Sequence, residues 1–336
     1  MNSPIFRAPR LIADVGGTNA RFALSSRPDD FAAIQVLACA QYPTLADAVI
    51  AYLREAGDPQ VQDAVIAIAT PLLGDEVRMT NHQWSFSIEQ TRRQLKLRTL
   101  LVVNDFSALA MSLPFLPPAQ LRRLDRHEEK REGVKAVVGP GTGLGVAALV
   151  PTASGWQAVA TEGGHVTLAP ASALEADILR LLWKTYAHVS AERLVSGTGI
   201  PLLYRSLCAI EGSVPQEGAD DAAGVVALAD AATGATAKQA LTLFSKLLGG
   251  VAGNVALTFG STGGLYIGGG VVGKLGRHFD IDAFRERFLS KGRFAAYLEA
   301  IPNYLILAEQ PAFIGAAWQL EQHLAHAGAP PAPDAV

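Results

Sequence analysis

Cysteine is scarce: Cys39 and Cys208 are the only two among 336 residues. So few thiols, so far apart, exclude a disulfide framework and a multi-cysteine metal site. Charge of one sign is missing as well. The 28 Lys and Arg against 31 Asp and Glu leave a net charge of −3, with no basic excess to hold nucleic acid. No apolar run reaches the roughly 18 residues that a membrane helix needs, and the opening MNSPIFRAPR lacks the apolar centre of a signal peptide. These absences predict a cytoplasmic protein without nucleic-acid or membrane partners. What the chain does have is apolar bulk, 49% of it, and 32 glycines. Its length allows two domains or one large one.

The order of elements predicts an α/β fold. RLIADV, ARFALSS and AAIQVLACA read as three strands separated by glycine-rich or polar breaks. TLADAVIAYLREAG then reads as a helix, with Thr44 and Asp47 as a capping box and Leu45, Ala48, Val49 and Leu53 as its apolar stripe. AVIAIA, a turn-rich GDEVRMTNHQW, a short helix from Ser87 and the strand TLLVVND follow. A similar order recurs. KAVVGP, GVAALV and WQAVATEGG are strand candidates, and SALEADILRLLWKTY is a helix capped by Ser172 and Glu175. A long helix over about 236–258 precedes the strands GLYIGG and NYLILAE, and a last helix starts near Ala312. The repetition points to two related halves, each opening with strands joined by a glycine turn. PPAQLRRLDRHEEKREG reads as a solvated connection, EGSVPQEGADDAAG as a surface loop and GAPPAPDAV as a disordered tail.

Three glycine clusters compete for a chemical role: DVGGTN, GPGTGLG and GGLYIGGGVVGKLG. Glycines admit phosphate oxygens to backbone N–H groups, and they also make ordinary turns. A dinucleotide fingerprint needs strand, glycines, then helix, but GPGTGLG runs into the strand-like VAALVP. Gly268 to Lys274 matches G-x-x-x-x-G-K, yet Leu275 stands where a P-loop needs a hydroxyl. What remains is strand, glycine turn, strand, once in each half, a pair able to hold a polyphosphate through amides and Thr hydroxyls. Asp14 ends the first strand, where it either holds Mg²⁺ through water or caps its own turn. Asn104 and Asp105 follow an apolar strand, Glu162 and His165 sit on a glycine-bent turn, and Glu192 lies in SAERLVSGTG. Singly, Asp105 is as well explained as a helix N-cap, His165 as a hydrogen-bonded loop residue and Glu192 as an exposed helix charge. Together they match the donor and acceptor groups that vicinal sugar hydroxyls require.

The ordered set LIADVGGTNARFAL, AIATPLLGDEVRMTNHQWSFS, VVNDFSALAMSLPFL, GPGTGLGVAALV, EGGHVTLAP, HVSAERLVSGTG, GGLYIGGGVV and KGRF closely resembles bacterial glucokinases. These are ATP-dependent hexose kinases of the actin-like ATPase superfamily. The resemblance covers nearly the whole chain. It implies an α/β, two-domain actin-like (ribonuclease H-like) fold with an interdomain cleft. Residues 1–115 plus about 306–330 would form the small domain and 116–305 the large one. It implies Asp105 as catalytic base, with Asn104, Asp105, Glu162, His165 and Glu192 as glucose ligands. Asp14, Val15, Gly16, Gly17, Thr18 and Asn19 with Gly141, Thr142 and Gly143 would be the phosphate loops, Gly269 and Gly270 would lie near adenosine, and the partners would be glucose, ATP, Mg²⁺ and a second subunit in a homodimer. A sister group of sugar kinases and repressors uses a cysteine-rich zinc site, which two distant cysteines cannot build. Thr198 departs from the pattern, since proline often stands there, and this bears on the shape of the SGTG loop.

The rival readings are a kinase for another hexose, a sugar sensor of the same fold with little turnover, and a dehydrogenase. The retained Asp105 and phosphate-loop residues favour an enzyme over a sensor. The missing helix after the glycines disfavours the dehydrogenase. A kinase must also avoid activating water, and closure driven by the sugar achieves this. The expected sugar ligands come from both halves, so saturating glucose without ATP should lower the radius of gyration in small-angle scattering and protect cleft amides from exchange. Unchanged scattering and exchange would mean a preformed site.

Overall fold

The computed structural model describes residues 8–125 and 132–327; the tail GAPPAPDAV lies outside them. The chain divides into two compact units, residues 1–116 with 308–336, and residues 117–307. In the first, β1 (Arg10–Val15), β2 (Asn19–Arg27) and β3 (Asp30–Ala38) lead to α1 (Leu45–Glu55) and β4 (Asp63–Ile68). A small hairpin of β5 (Glu76–Arg78) and β6 (Ser85–Ser87), then α2 (Ile88–Gln94), β7 (Thr99–Asn104) and α3 (Asp105–Ser112) follow. The sheet order is β3-β2-β1-β4-β7, with β1, β4 and β7 parallel. Their register pairs Val15 with Ile68 and Ile68 with Asn104, so all three strands end on one edge of the sheet.

Alternation along β1 sorts its residues between two cores, because successive side chains point to opposite faces. Leu11, Ala13 and Val15 pack with Leu45, Ala48, Val49 and Tyr52 of α1. Ile12 lies on the other face with Val65, Ala67, Ala108 of α3, and Phe313, Ala316 and Leu320 of the chain's last helix. β4 is buried at every position, as a strand covered on both sides must be. Thr44 caps α1 as expected, its hydroxyl accepting from Asp47 N at 3.2 Å, but Asp47 Oδ2 accepts from that hydroxyl at 2.7 Å in place of the Thr44 N–H that a full capping box would use.

The second unit opens with β8 (Leu121–Arg123), β9 (Lys135–Pro140), β10 (Leu144–Thr152) and β11 (Gly155–Thr161). Next come α4 (Ala173–Leu182), α5 (Ala191–Leu194), α6 (Gly199–Glu211), α7 (Ala222–Asp230) and α8 (Ala235–Phe259). β12 (Gly264–Ile267), α9 (Gly270–Leu275), α10 (Ile281–Leu289), α11 (Ala295–Glu299) and β13 (Asn303–Ile306) complete it, and α12 (Pro311–Ala327) belongs to the first unit. The sheet order β11-β10-β9-β12-β13 repeats that of the first unit, third-second-first-fourth-fifth, with β8 added outside β13. The two halves are therefore related in topology, as their repeated pattern suggests. By length and composition α8 could cross a bilayer, but 72% of its most apolar window is buried; its apolarity is that of a core helix.

Several segments differ from the sequence reading. The expected solvated connection contains β8, which pairs with β13, and Asp125, whose nearly buried carboxylate accepts from Asn303 N and Arg123; residues 126–131 lie outside the description. The surface loop 211–224 gives way at Ala222 to α7, whose apolar residues show no helical contrast. α6 is a helix that the sequence pattern does not announce, although Ile200, Leu203, Tyr204, Leu207 and Cys208 recur at helical spacing. Gly199 and Pro201 obscure it, yet proline in a first turn costs no hydrogen bond because that N–H has no helical partner. α10 is another such helix; Asp280 caps it by accepting from Ala283 N at 2.9 Å, and Phe284 and Phe288 anchor it.

Gly315 sets the approach of α12 to α3: a Cβ there would run into the Ala108 carbonyl and lie 2.8 Å from Ser112 N. Neither contact is the yielding end of a side chain. Gly315→Val should therefore cost about 1–3 kcal/mol of stability through overpacking, read as a lower midpoint in urea unfolding. An unchanged midpoint would mean that the helices part freely.

Candidate active site

At the end of β1 the chain turns through Gly16 and Gly17, closed by Gly16 N donating to Asn19 O at 3.0 Å. Gly17 is required by close approach: a Cβ would stand 2.7 Å from Asn81 O and 2.8 Å from Asn81 Cβ. Cys39 braces the turn, its N–H donating to Thr18 O at 2.9 Å and its thiol to Gly16 O at 3.5 Å. Thr18 is exposed at the tip and Asn19 half-buried. Val15 turns its side chain into the core, leaving only backbone to a ligand.

Asp14 shares its sheet face with Ile12, the face on which α3 packs. It does not cap its own turn; its carboxylate meets Arg21 across the hairpin at 3.5 Å. Burial pushes the Asp14 carboxyl up from the ordinary range, and Arg21 pulls it back down, while 27% of the side chain stays open to solvent. Two strand spacings away, about 10 Å, Asn104 ends β7 and caps α3 by accepting from Ser107 N at 3.0 Å. That assigns the cap to Asn104. Asp105 takes the first helical position, and its Oδ1 accepts from Phe106 N at 2.9 Å and from Asn104 Nδ2 at 3.1 Å. Asp14, the glycine turn, Asn104 and Asp105 are thus gathered along one sheet edge.

The second unit repeats the plan. Gly141 N donates to Gly143 O at 2.8 Å, making a tight β9–β10 turn with Thr142 exposed at its tip. The Glu192 Oε2 accepts from Leu144 N at 2.9 Å, just beyond that turn. A Cβ on Gly143 would collide with the Glu192 carboxylate, so glycine makes room for it. His165 stands between two carboxylates, Nδ1 at 3.9 Å from Glu192 Oε1 and Nε2 at 3.9 Å from Glu162 Oε2. The 3-10 turn Gly163–His165 lies against β10 so closely that a Cβ on Gly164 would strike the Leu144 carbonyl. Glu162, His165 and Glu192 therefore form one cluster, and Glu162 and His165 keep 54% and 59% of their side chains exposed.

Gly269 and Gly270 follow β12 and open α9, both exposed. Gly269 has φ +76°, and a Cβ there would strike the Pro140 carbonyl, so this turn sits directly on the end of β9. A third glycine turn joins them: Gly197 N donates to Gly141 O at 2.8 Å. Thr198 has φ −78°, a value proline also adopts, and the cap of α6 comes from Ser196, whose hydroxyl accepts from Gly199 N at 3.1 Å. Thr198 thus holds a φ that proline would also hold. Sequence reasoning missed Asn81, Ser196 and Gly197 as parts of these turns. TNHQW and SGTG carry them, but only packing shows that they reach Gly17 and Gly141.

The glucokinase family model matches residues 11–323. A Chromobacterium violaceum glucokinase is 50% identical over 317 residues, 94% of this chain and 90% of that protein. A Burkholderia pseudomallei relative named Bifunctional protein glk is 50% identical over 318 residues; this chain matches 95% of its own length to 49% of that protein, so it spans about half of the bifunctional relative. Among solved structures, a glucokinase from an Antarctic psychrotroph superposes with TM-score 0.84 at 34% identity, covering 94% of this chain and all of that one. The α/β class and the actin-like fold expected from the resemblance are those of these proteins. By family model, sequence and fold, the chain belongs to the glucokinase family.

Proposed function

We propose that this chain transfers the γ-phosphoryl group of ATP to the 6-hydroxyl of glucose, giving glucose 6-phosphate and ADP. The observation that carries the reading is Glu192: one carboxylate oxygen holds the amide beside the Gly141–Gly143 turn while the other faces His165. A sugar-type cluster and a phosphate-type turn thus share a residue. In this reading Glu162, His165 and Glu192 bind sugar hydroxyls, as do Asn104 and Asp105. The Asp14–Asn19 and Gly141–Gly143 turns take phosphate oxygens on backbone N–H groups, and Gly269 and Gly270 take the adenosine side. Gly269 supports this because its positive φ favours glycine, whose backbone carries no side-chain bulk.

Asp105 accepts the proton of the 6-hydroxyl as that oxygen bonds to the γ-phosphorus and the bond to the β-phosphate oxygen breaks, releasing ADP. Its Oδ1 is oriented by Phe106 N and Asn104 Nδ2, which fixes the carboxylate before the sugar arrives. Mg²⁺ would enter with the nucleotide, with Asp14 holding it through water. Among the described residues no cluster of three His, Cys, Asp or Glu forms a cage, and a single carboxylate with water and phosphate oxygens suits this ion. Bound there, it neutralises phosphoryl charge. The reading also keeps a cytoplasmic homodimer, which light scattering at working concentration addresses.

A coupled ADP-release assay across hexoses tests the substrate. Carboxylates and an imidazole left unpaired on binding cost about 1–3 kcal/mol each, so kcat/KM for fructose and mannose should fall at least about tenfold below glucose. Equal values would remove the glucose assignment. Asp105→Asn retains the shape and loses the proton acceptor, and kcat should drop at least about 10²-fold. A kcat within a few-fold of the parent, with chemistry rate-limiting, would reject Asp105 as the base.

A further inference from the structure

Beneath the loop that carries Glu162 and His165, the second unit has an open-sided cavity of about 300 Å³, at the lower end of small-molecule sites. Its walls are apolar along α8, where Leu247, Val251 and Val255 face Leu168 and Pro170 of the loop. Two cations close one end, Arg287 and Lys291. Their situations differ. Arg287 is neutralised by the buried Glu175, 2.6 Å away, whose Oε2 also accepts from Ala171 N at 2.7 Å. Lys291 meets only neutral oxygens, donating to Gly250 O at 3.1 Å and Asn254 Oδ1 at 2.6 Å. Burial, with the Arg287 charge beside it, lowers the Lys291 pKa. Among the described residues no carboxylate lines the cavity itself. The site therefore holds one half-buried positive charge with no carboxylate partner at the end of an apolar slot, and an anion placed there would pair with it.

We propose that this cavity binds a small monoanion with an apolar body, a carboxylate of about ten heavy atoms, and that the bound molecule acts on the sugar cluster above it. The single surplus charge selects a monoanion over an inorganic polyanion, which would leave charge unmatched. Coupling follows from the shared wall. Thr161, Gly163 and Ala191 line the cavity and are one residue from Glu162 or Glu192. They are tied to it through Thr161 Oγ1 donating to Val146 O at 2.8 Å and Ala191 N donating to Val166 O at 2.8 Å. Filling the slot supports the loop from below, so sugar and anion should strengthen each other's binding by the same factor. The coupling rests on the sugar-ligand reading above; the binding does not.

Calorimetric titration of octanoate, octan-1-ol and inorganic phosphate into the full chain, without sugar or nucleotide, tests the binding. Octanoate should bind with Kd of about 1 mM or tighter. Octan-1-ol should be at least about tenfold weaker, as should octanoate on Lys291→Met, because a charge-assisted hydrogen bond is lost. Lys291→Arg should bind within about threefold of the parent, and matched thermal melting of the variants separates lost binding from lost fold. At saturating octanoate the glucose KM should fall at least about twofold. Octan-1-ol binding as well as octanoate, phosphate binding in its place, or parent-like affinity in Lys291→Met overturns the site. An unchanged glucose KM with octanoate bound overturns the coupling. Octanoate heat without any sugar phosphorylation would instead count against the kinase reading alone.

Discussion

The parallel register of β1, β4 and β7 is the constraint on which the first unit's chemistry depends. It brings Val15, Ile68 and Asn104 to one level, so Asp14 and the glycine turn lie at the end of β1 and Asp105 just past the end of β7, two strands away on the same sheet edge. A slip of one residue in β1 would exchange its faces. Asp14 would then point into the core occupied by Leu11 and Ala13, and Ala13 or Val15 would take its place at the edge. The register is held by burial on both faces of β4, which leaves no polar side for a shifted pairing. The stability of the sheet and the position of its carboxylates thus have one cause.

In the second unit the corresponding constraint is the closeness of backbones. Gly143 yields space to Glu192, Gly164 to the Leu144 carbonyl and Gly269 to the Pro140 carbonyl. Each contact ties a ligand-facing loop to the end of β9 or the start of β10. The glycines therefore fix loops as much as they open them to phosphate. On the proposed reading this bears on specificity, because a loop held by contacts of this kind does not easily adjust to a different sugar.

Local chemistry was legible in the sequence, and tertiary chemistry was not. The capping residues Thr44 and Ser172, the glycine turns and the helix over α8 could be read because propensity and periodicity act within a few residues. Asp105 could be located at a strand end, but a cap and a first-turn residue look alike in one dimension; the hydrogen bond from Ser107 N to Asn104 separates them. Glu192 and Leu144 are 48 residues apart, and no spacing rule joins them. The same holds for Asn81 against Gly17 and for β8, three residues that become a strand only because β13 offers an edge. α6 is a different case: its stripe was present, and the glycine and proline at its start concealed it.

The packing of α12 against α3 also bears on how the protein is made. The first unit needs both its opening segment and α12, whereas the second unit is one continuous stretch, Pro117–Leu307. A ribosome adding roughly 5–20 residues per second takes on the order of ten to forty seconds to traverse that stretch. Throughout this time the sheet face of Ile12, Val65 and Ala67 waits for Phe313, Ala316 and Leu320, which cover it in the finished protein. The second unit can be complete before the first has its last helix. During synthesis the uncovered face is an opening for chaperones and for misassociation, so the order of translation decides how long it stays open.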